Sequence, residues 1–141
     1  MKIIKLEDIK GTWKEVHCPK GGFVSNRYLF ESDNMGYTLT RTEIPKGGWQ
    51  RWCYKEHLET CLCISGHGVI NGVLSGEYHN IYPGIAYVLD NHDDHRFKAI
   101  EDTVLICVFN PPLFGAEVHQ EDGSYKTQSS YSKNAIHRLL R

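Results

Sequence analysis

The 141-residue sequence has almost no net charge: 16 lysines and arginines stand against 17 acids, a formal −1. A nucleic-acid or membrane-surface binder needs a basic field, so this balance argues against both and favours a small-molecule partner. No C-x-x-C pair occurs, and five cysteines are too few, and odd in number, for a disulfide scaffold. The opening MKIIKLEDIKGTW holds no apolar run of leader length, and no stretch approaches the ~18 apolar residues of a membrane span. These absences predict free thiols in a reducing cytoplasm and no membrane partner. Helical periodicity is scarce too, and the length fits one domain.

What is abundant is histidine, eight in all, the commonest metal ligand and the side chain that titrates near neutral pH. Short β-rich or alternating runs recur at the spacing of an all-β barrel or sandwich, namely residues 26–31, 36–44, 60–64, 68–73, 86–89 and 103–110. Turn formers separate them: Asp33-Asn34, Pro45-Lys46-Gly47-Gly48, Ser65-Gly66, Ser75-Gly76, Pro83-Gly84, Asn91-His92-Asp93-Asp94 and Pro111-Pro112. Residues 5–10 predict a short N-terminal helix and 134–141 another. From Gly123 to Lys133 the polar, aperiodic composition reads as a mobile tail, so the domain is placed at 1–125 and a flexible C-terminal tail at 126–141.

Glu59 heads the apolar run Thr60-Cys61-Leu62-Cys63-Ile64. In a strand, residues 59, 61 and 63 share one face, so a carboxylate and two thiols line the same side. If that side faces the interior, the carboxylate is costly unless paired or metal-bound. Glu59 is followed, after six residues, by Gly66; Pro83-Gly84 is followed after two residues by Tyr87 and after three more by Asn91. These spacings resemble the two glycine-anchored motifs of the cupins, which are small β-barrels of the jelly-roll kind. Cys53, Lys55 and Tyr87 occupy the places of the three cupin histidines. The skeleton is kept while the usual three-histidine, one-glutamate site is rebuilt.

The segments HLETCLCISGHG (57–68), YPGIAYVLDNHDDHRF (82–97) and VLICVFNPPLFGAEVHQEDGSY (104–125) are similar to the ectoine synthase family, whose cupin enzymes close the ectoine ring. The resemblance spans about 25–125. It implies cyclodehydration of N4-acetyl-L-2,4-diaminobutyrate to L-ectoine and water. It also implies a divalent iron held by Glu59, Tyr87 and His95. Two oxygens and one imidazole equally suit Mn or Zn. For substrate it implies Phe23, Ser25, Arg27, Thr40, Thr42, His57, Cys107 and Phe109, with Arg27 gripping the carboxylate. Catalytic roles fall to Glu117, supported by His119, for taking the amine proton and to Tyr54 for protonating the leaving oxygen. The family's usual oligomer implies a homodimer.

Cys107 and Phe109 share a strand face that Val108 does not. Cys61 and Cys63 read as core fillers, and His17, His67, His79 and His137 as surface or loop residues. The chain departs from the family at Phe23, where tryptophan is common, at Thr40, in place of histidine or asparagine, and across Gly48–Cys53. These departures touch the substrate, not the metal. They open two further readings, a cyclase or hydrolase for a related acylated diamino acid and a non-catalytic small-molecule-binding cupin.

Overall fold

The computed structural model describes residues 1–115, 117–119 and 123–125. Ten strands form two wholly antiparallel sheets. In chain order they are β1 (Glu15–His17), β2 (Val24–Arg27), β3 (Thr38–Ile44), β4 (Gln50–Trp52), β5 (Leu58–Ser65), β6 (Gly68–Gly72), β7 (Tyr78–Ile81), β8 (Ala86–Leu89), β9 (His95–Ala99) and β10 (Thr103–Asn110). The larger sheet runs β1-β2-β3-β10-β5-β8 and the smaller β4-β9-β6-β7. The expected helix at 5–10 is a single 3-10 turn, Leu6–Asp8. The one expected at 134–141, and the tail at 126–141, lie outside the described residues.

Alternation makes the core. In β10 residues 103, 105, 107 and 109 are buried while their neighbours face outward, and β5 buries 59, 61 and 63. Phe97 and Ala99 of β9, Ile70 of β6 and Trp52 of β4 join Cys61, Leu105, Cys107 and Phe109 of the larger sheet in one cluster. The shared side of Glu59, Cys61 and Cys63, whose facing the sequence leaves open, is the interior one.

Gly66 shows how tightly the β5–β6 turn is built. Its φ of +88 is left-handed, and a Cβ there would run into the backbone of Asp102 and Thr103. Glycine avoids both the strain and the collision.

The outer face of the larger sheet exposes Leu62, Ile64, Val88 and Val108. Among the described residues no helix is long and apolar enough to cross a membrane.

Candidate active site

Pairing register assembles the site across the larger sheet. One row runs Arg27–Thr40–Cys107–Cys61–Tyr87 through β2, β3, β10, β5 and β8, and its neighbour runs Thr38–Phe109–Glu59–Leu89. Ser25 and Thr42 pair one step away from Arg27 and Thr40. Strands fixed by ladder hydrogen bonds thus carry six of the proposed substrate side chains (Ser25, Arg27, Thr40, Thr42, Cys107 and Phe109) and two of the three proposed metal ligands, while Phe23 and His57 stand just before β2 and β5. Ser25, Thr42, Glu59, Tyr87, Cys107 and Phe109, together with Phe23, Trp52, Tyr54 and Tyr125, line a cavity of about 20 Å³, room for one water-sized body.

His95 comes from the smaller sheet, opening β9 opposite Trp52. Its Nδ1–H donates to the Asp93 carbonyl at 2.9 Å. That leaves Nε2 as the lone-pair nitrogen, and it is buried with no hydrogen-bond partner. Burial holds the ring below the ordinary histidine range. A neutral imidazole with a bare inward nitrogen, oriented by a carbonyl behind it, is the arrangement a metal ligand needs.

Glu59 is buried without a cationic partner among the described residues. Desolvation lifts its carboxyl to about 7, opposed by hydrogen bonds from Cys61 and Cys107. The Cys61 thiol donates to Oε1 at 3.2 Å. Glu59, Cys61 and Cys107 place one donor atom each within 4.8 Å of one another. Burial likewise pushes the Tyr54, Tyr87 and Cys61 protons toward retention. A buried carboxylate with no cation and an unpartnered imidazole fit a bound divalent ion.

Beyond β10 the described residues are 113–115, 117–119 and 123–125, and of these Tyr125 lines the cavity. Arg27, fully buried, donates from Nη1 to the Gly115 carbonyl and from Nη2 to the Glu117 carbonyl, each at 2.6 Å, and from Nε to Ser25 Oγ at 3.4 Å. Its fork is thus engaged with main chain, not turned freely toward the cavity. The Glu117 carboxylate accepts from the amides of Phe114 (3.1 Å to each oxygen) and Gly115 (2.6 Å to Oε1). The Tyr54 hydroxyl and His119 Nε2 are hydrogen-bonded at 2.7 Å. His119 stacks on Tyr125 with centroids 4.5 Å apart and on Trp52 at 5.9 Å. Burial, with a contribution from the Arg27 charge, drops His119 to about 3.

His57 is buried, its Nδ1 donating to the Pro111 carbonyl at 2.7 Å. Thr40 and Thr42 hydroxyls are 3.3 Å apart. Phe23 meets Trp52 and His119 edge-on.

Four lining residues, Ile44, Trp52, Leu105 and Tyr125, are not among the site residues expected from the sequence, and the lining Cys61 reads there as a core filler. Trp52 sits on a three-residue strand that carries no pattern of its own. Leu105 follows from the β10 alternation. Tyr125 lies in the stretch taken as tail. That expectation is corrected for its first residues: Ser124 and Tyr125 are buried, Gly123 accepts the Cys53 amide at 3.0 Å, and Tyr125 bridges His119. Gly123 (φ +82) packs so closely on the Arg51–Trp52 backbone that a Cβ would not fit. His17 and His79 are exposed as expected; His67 is half-buried and stacks on Tyr82. His137 lies outside the described residues.

The family model described as ectoine synthase matches residues 1–129. An L-ectoine synthase from Alkalilimnicola ehrlichii is 48% identical over 126 residues, covering 89% of this chain and 94% of that protein. The crystal structure of an ectoine synthase from P. lautus superposes with a TM-score of 0.80 at 36% identity, covering 94% of this chain and 97% of that one. At 11% identity the cupin domain of Schizosaccharomyces pombe Cnp3 shares the fold alone, with a TM-score of 0.55 over 63% of this chain and 64% of that one. A cupin fold with this cavity, similar over nearly its whole length to ectoine synthases, belongs to the ectoine synthase family.

Proposed function

We propose that the protein closes N4-acetyl-L-2,4-diaminobutyrate into L-ectoine with loss of one water. The observation that carries this is identity to an L-ectoine synthase at 48% across most of both chains. In this reading Glu59, Tyr87 and His95 hold a divalent iron, with manganese or zinc compatible with the same donors. The bound ion supplies Lewis-acid polarisation of the amide carbonyl.

The chain's own residues do the rest. Closure needs amine and carbonyl folded against each other, and the aromatic and threonine walls (Phe23, Phe109, Thr40, Thr42) would impose that pose on a flexible chain. Ser25 and Arg27 bind the carboxylate, with His57 and Cys107 completing the wall. Arg27 reaches a carboxylate by exchanging it for the Gly115 and Glu117 carbonyls it now holds. Tyr54 keeps its proton at neutral pH because burial disfavours the phenolate, so it is available as the acid for the departing oxygen. Glu117, with His119 nearby, takes the amine proton. Its Oε2 accepts a single amide hydrogen and so retains a lone pair.

A homodimer in the cytoplasm completes the reading. The apolar outer face around Leu62, Ile64, Val88 and Val108 is of the kind that associates, and the five free thiols suit a reducing compartment.

Iron-loaded protein incubated with the acetylated diamino acid and followed by mass spectrometry should show loss of one water. Binding without conversion would instead mark a non-catalytic cupin. Of the departures, Phe23 lines the pocket and Thr40 bonds to the lining Thr42, so a related acylated diamino acid is the second substrate to try. Glu59→Ala, Tyr87→Ala and His95→Ala are each expected to lose bound metal and turnover together. Turnover at the wild-type rate by a metal-free variant would end the metal assignment.

A further inference from the structure

Beside Glu59 the proposed iron ligands leave two buried thiols, Cys61 and Cys107, without a part in holding metal. Cys61 and Cys107 stand directly opposite each other in the β5–β10 ladder, and Cys61 stands directly opposite Tyr87 in the β5–β8 ladder. Both thiols are buried, at 1% and 3% exposure. Their sulfurs and a Glu59 oxygen lie within 4.8 Å of one another, and His95 is not in that group. All three residues line the cavity of about 20 Å³, which holds one ion or one water. Tyr87 borders this cavity and also an open cleft lined by Glu77, His79, Asp93 and His95. That cleft gives an ion a path from solvent as far as the Tyr87 ring.

We infer that Glu59, Cys61 and Cys107 form a thiolate metal site of this chain, selective for zinc and similar sulfur-seeking ions and sharing Glu59 with the oxygen and nitrogen donors. Two sulfurs and one carboxylate make a three-ligand site whose fourth position stays open to water, the composition of an open zinc centre. Sulfur donors favour zinc and copper(I) over magnesium, calcium or manganese. Binding exchanges two S–H bonds for two metal–sulfur bonds and releases two protons to solvent, with no change of oxidation state. The third buried cysteine, Cys63, donates instead to the Ser65 carbonyl at 3.4 Å and takes no part.

The inference rests on the metal-dependent reading only through the shared Glu59, and spectroscopy separates the two. Chelator-stripped, reduced full-length protein is titrated anaerobically with cobalt(II) as a probe for zinc. An intense near-ultraviolet sulfur-to-cobalt charge-transfer band is expected, bleached by added zinc. Cys61→Ser and Cys107→Ser should each weaken that band and raise the cobalt Kd by more than the roughly 10- to 100-fold that loss of an outer hydrogen-bond partner costs. Cys63→Ser should leave it unchanged. Circular dichroism confirms that each variant is folded, and Cys61→Ala and Cys107→Ala serve if a serine variant is not. His95→Ala should keep the band while losing iron(II) affinity. Cobalt binding without the band, or a band that survives loss of both thiols, overturns the inference and leaves the Glu59–Tyr87–His95 centre standing. A persistent band in a His95→Ala protein with undiminished iron binding and turnover would support the thiolate site and remove the proposed iron ligand set.

Discussion

The floor and the roof of the cavity are held by different forces. The floor, β3, β10, β5 and β8, is pinned by ladder hydrogen bonds, and each side chain's direction follows from its place in the register. The roof, the described residues 113–115, 117–119 and 123–125, has one isolated bridge and two main-chain bonds to other parts of the chain (Glu31 to Leu113, Cys53 to Gly123), and depends for the rest on side chains: the Arg27 fork, the Glu117 carboxylate, and the stack of His119 on Tyr125. A floor position can change its side chain and keep its backbone. A roof position that loses its side chain loses the bonds that place the backbone.

Arg27→Met tests this difference at its largest. Two buried carbonyls lose their donors at once, so a loss of about 3 kcal/mol is expected in chemical denaturation. Arg27→Lys should restore little, since an ammonium cannot serve two carbonyls through one planar fork. Amide exchange should accelerate in the roof and stay slow along β10; uniform acceleration would show that floor and roof unfold together.

The two regions also respond to pH with opposite signs. Glu59, raised from 4.5 to about 7, is neutral in both states at low pH; as pH climbs from 4.5 the unfolded chain ionises first, so stability is lost progressively up to about 7. His119, lowered from 6.5 to about 3, is neutral in both states above about 6.5, and stability drains as pH falls toward 3. Thermal melts of metal-free protein should therefore decline on both limbs, by a few kcal/mol each. Glu59→Gln should flatten the alkaline limb only, and His119→Asn the acidic limb only. A single substitution that flattens both would dissolve the distinction.

The smallest expected effect joins the two halves. Tyr54→Phe leaves His119 Nε2 without its partner at 2.7 Å, a loss of about 1–2 kcal/mol. If Tyr54 is the acid, turnover should fall roughly 10²- to 10⁴-fold with KM little changed.

The same contrast explains what could be read from the sequence. β8 and β10 match the expected runs residue for residue, and the face that Glu59 shares with Cys61 and Cys63 follows from period-2 alternation, though not that it points inward. β9 was missed although 95, 97 and 99 alternate inward, because His-Arg-Phe-Lys-Ala follows directly on the polar turn 91–94 and reads as its continuation. β1, β4 and β7 are three or four residues long, too short for a periodic signal, and only partner strands define them. The row Arg27–Thr40–Cys107–Cys61–Tyr87 crosses five strands, and no spacing within one segment encodes it. Tyr125 is a roof residue that packs on Tyr54 and Arg27, both distant along the chain, as well as on His119 six residues before it. Its polar neighbours carry no trace of that.

Arg27 has one more consequence. Among the described residues its guanidinium meets neutral acceptors and the face of Tyr125, with no carboxylate in salt-bridge contact. A full positive charge thus sits in a low-dielectric interior, and its reach is visible in the depressed His119. For anything entering, that charge is a toll on cations and a welcome to anions: a zwitterion that leads with its carboxylate gains, whereas the same skeleton stripped of the carboxylate arrives as a bare amine and is turned away.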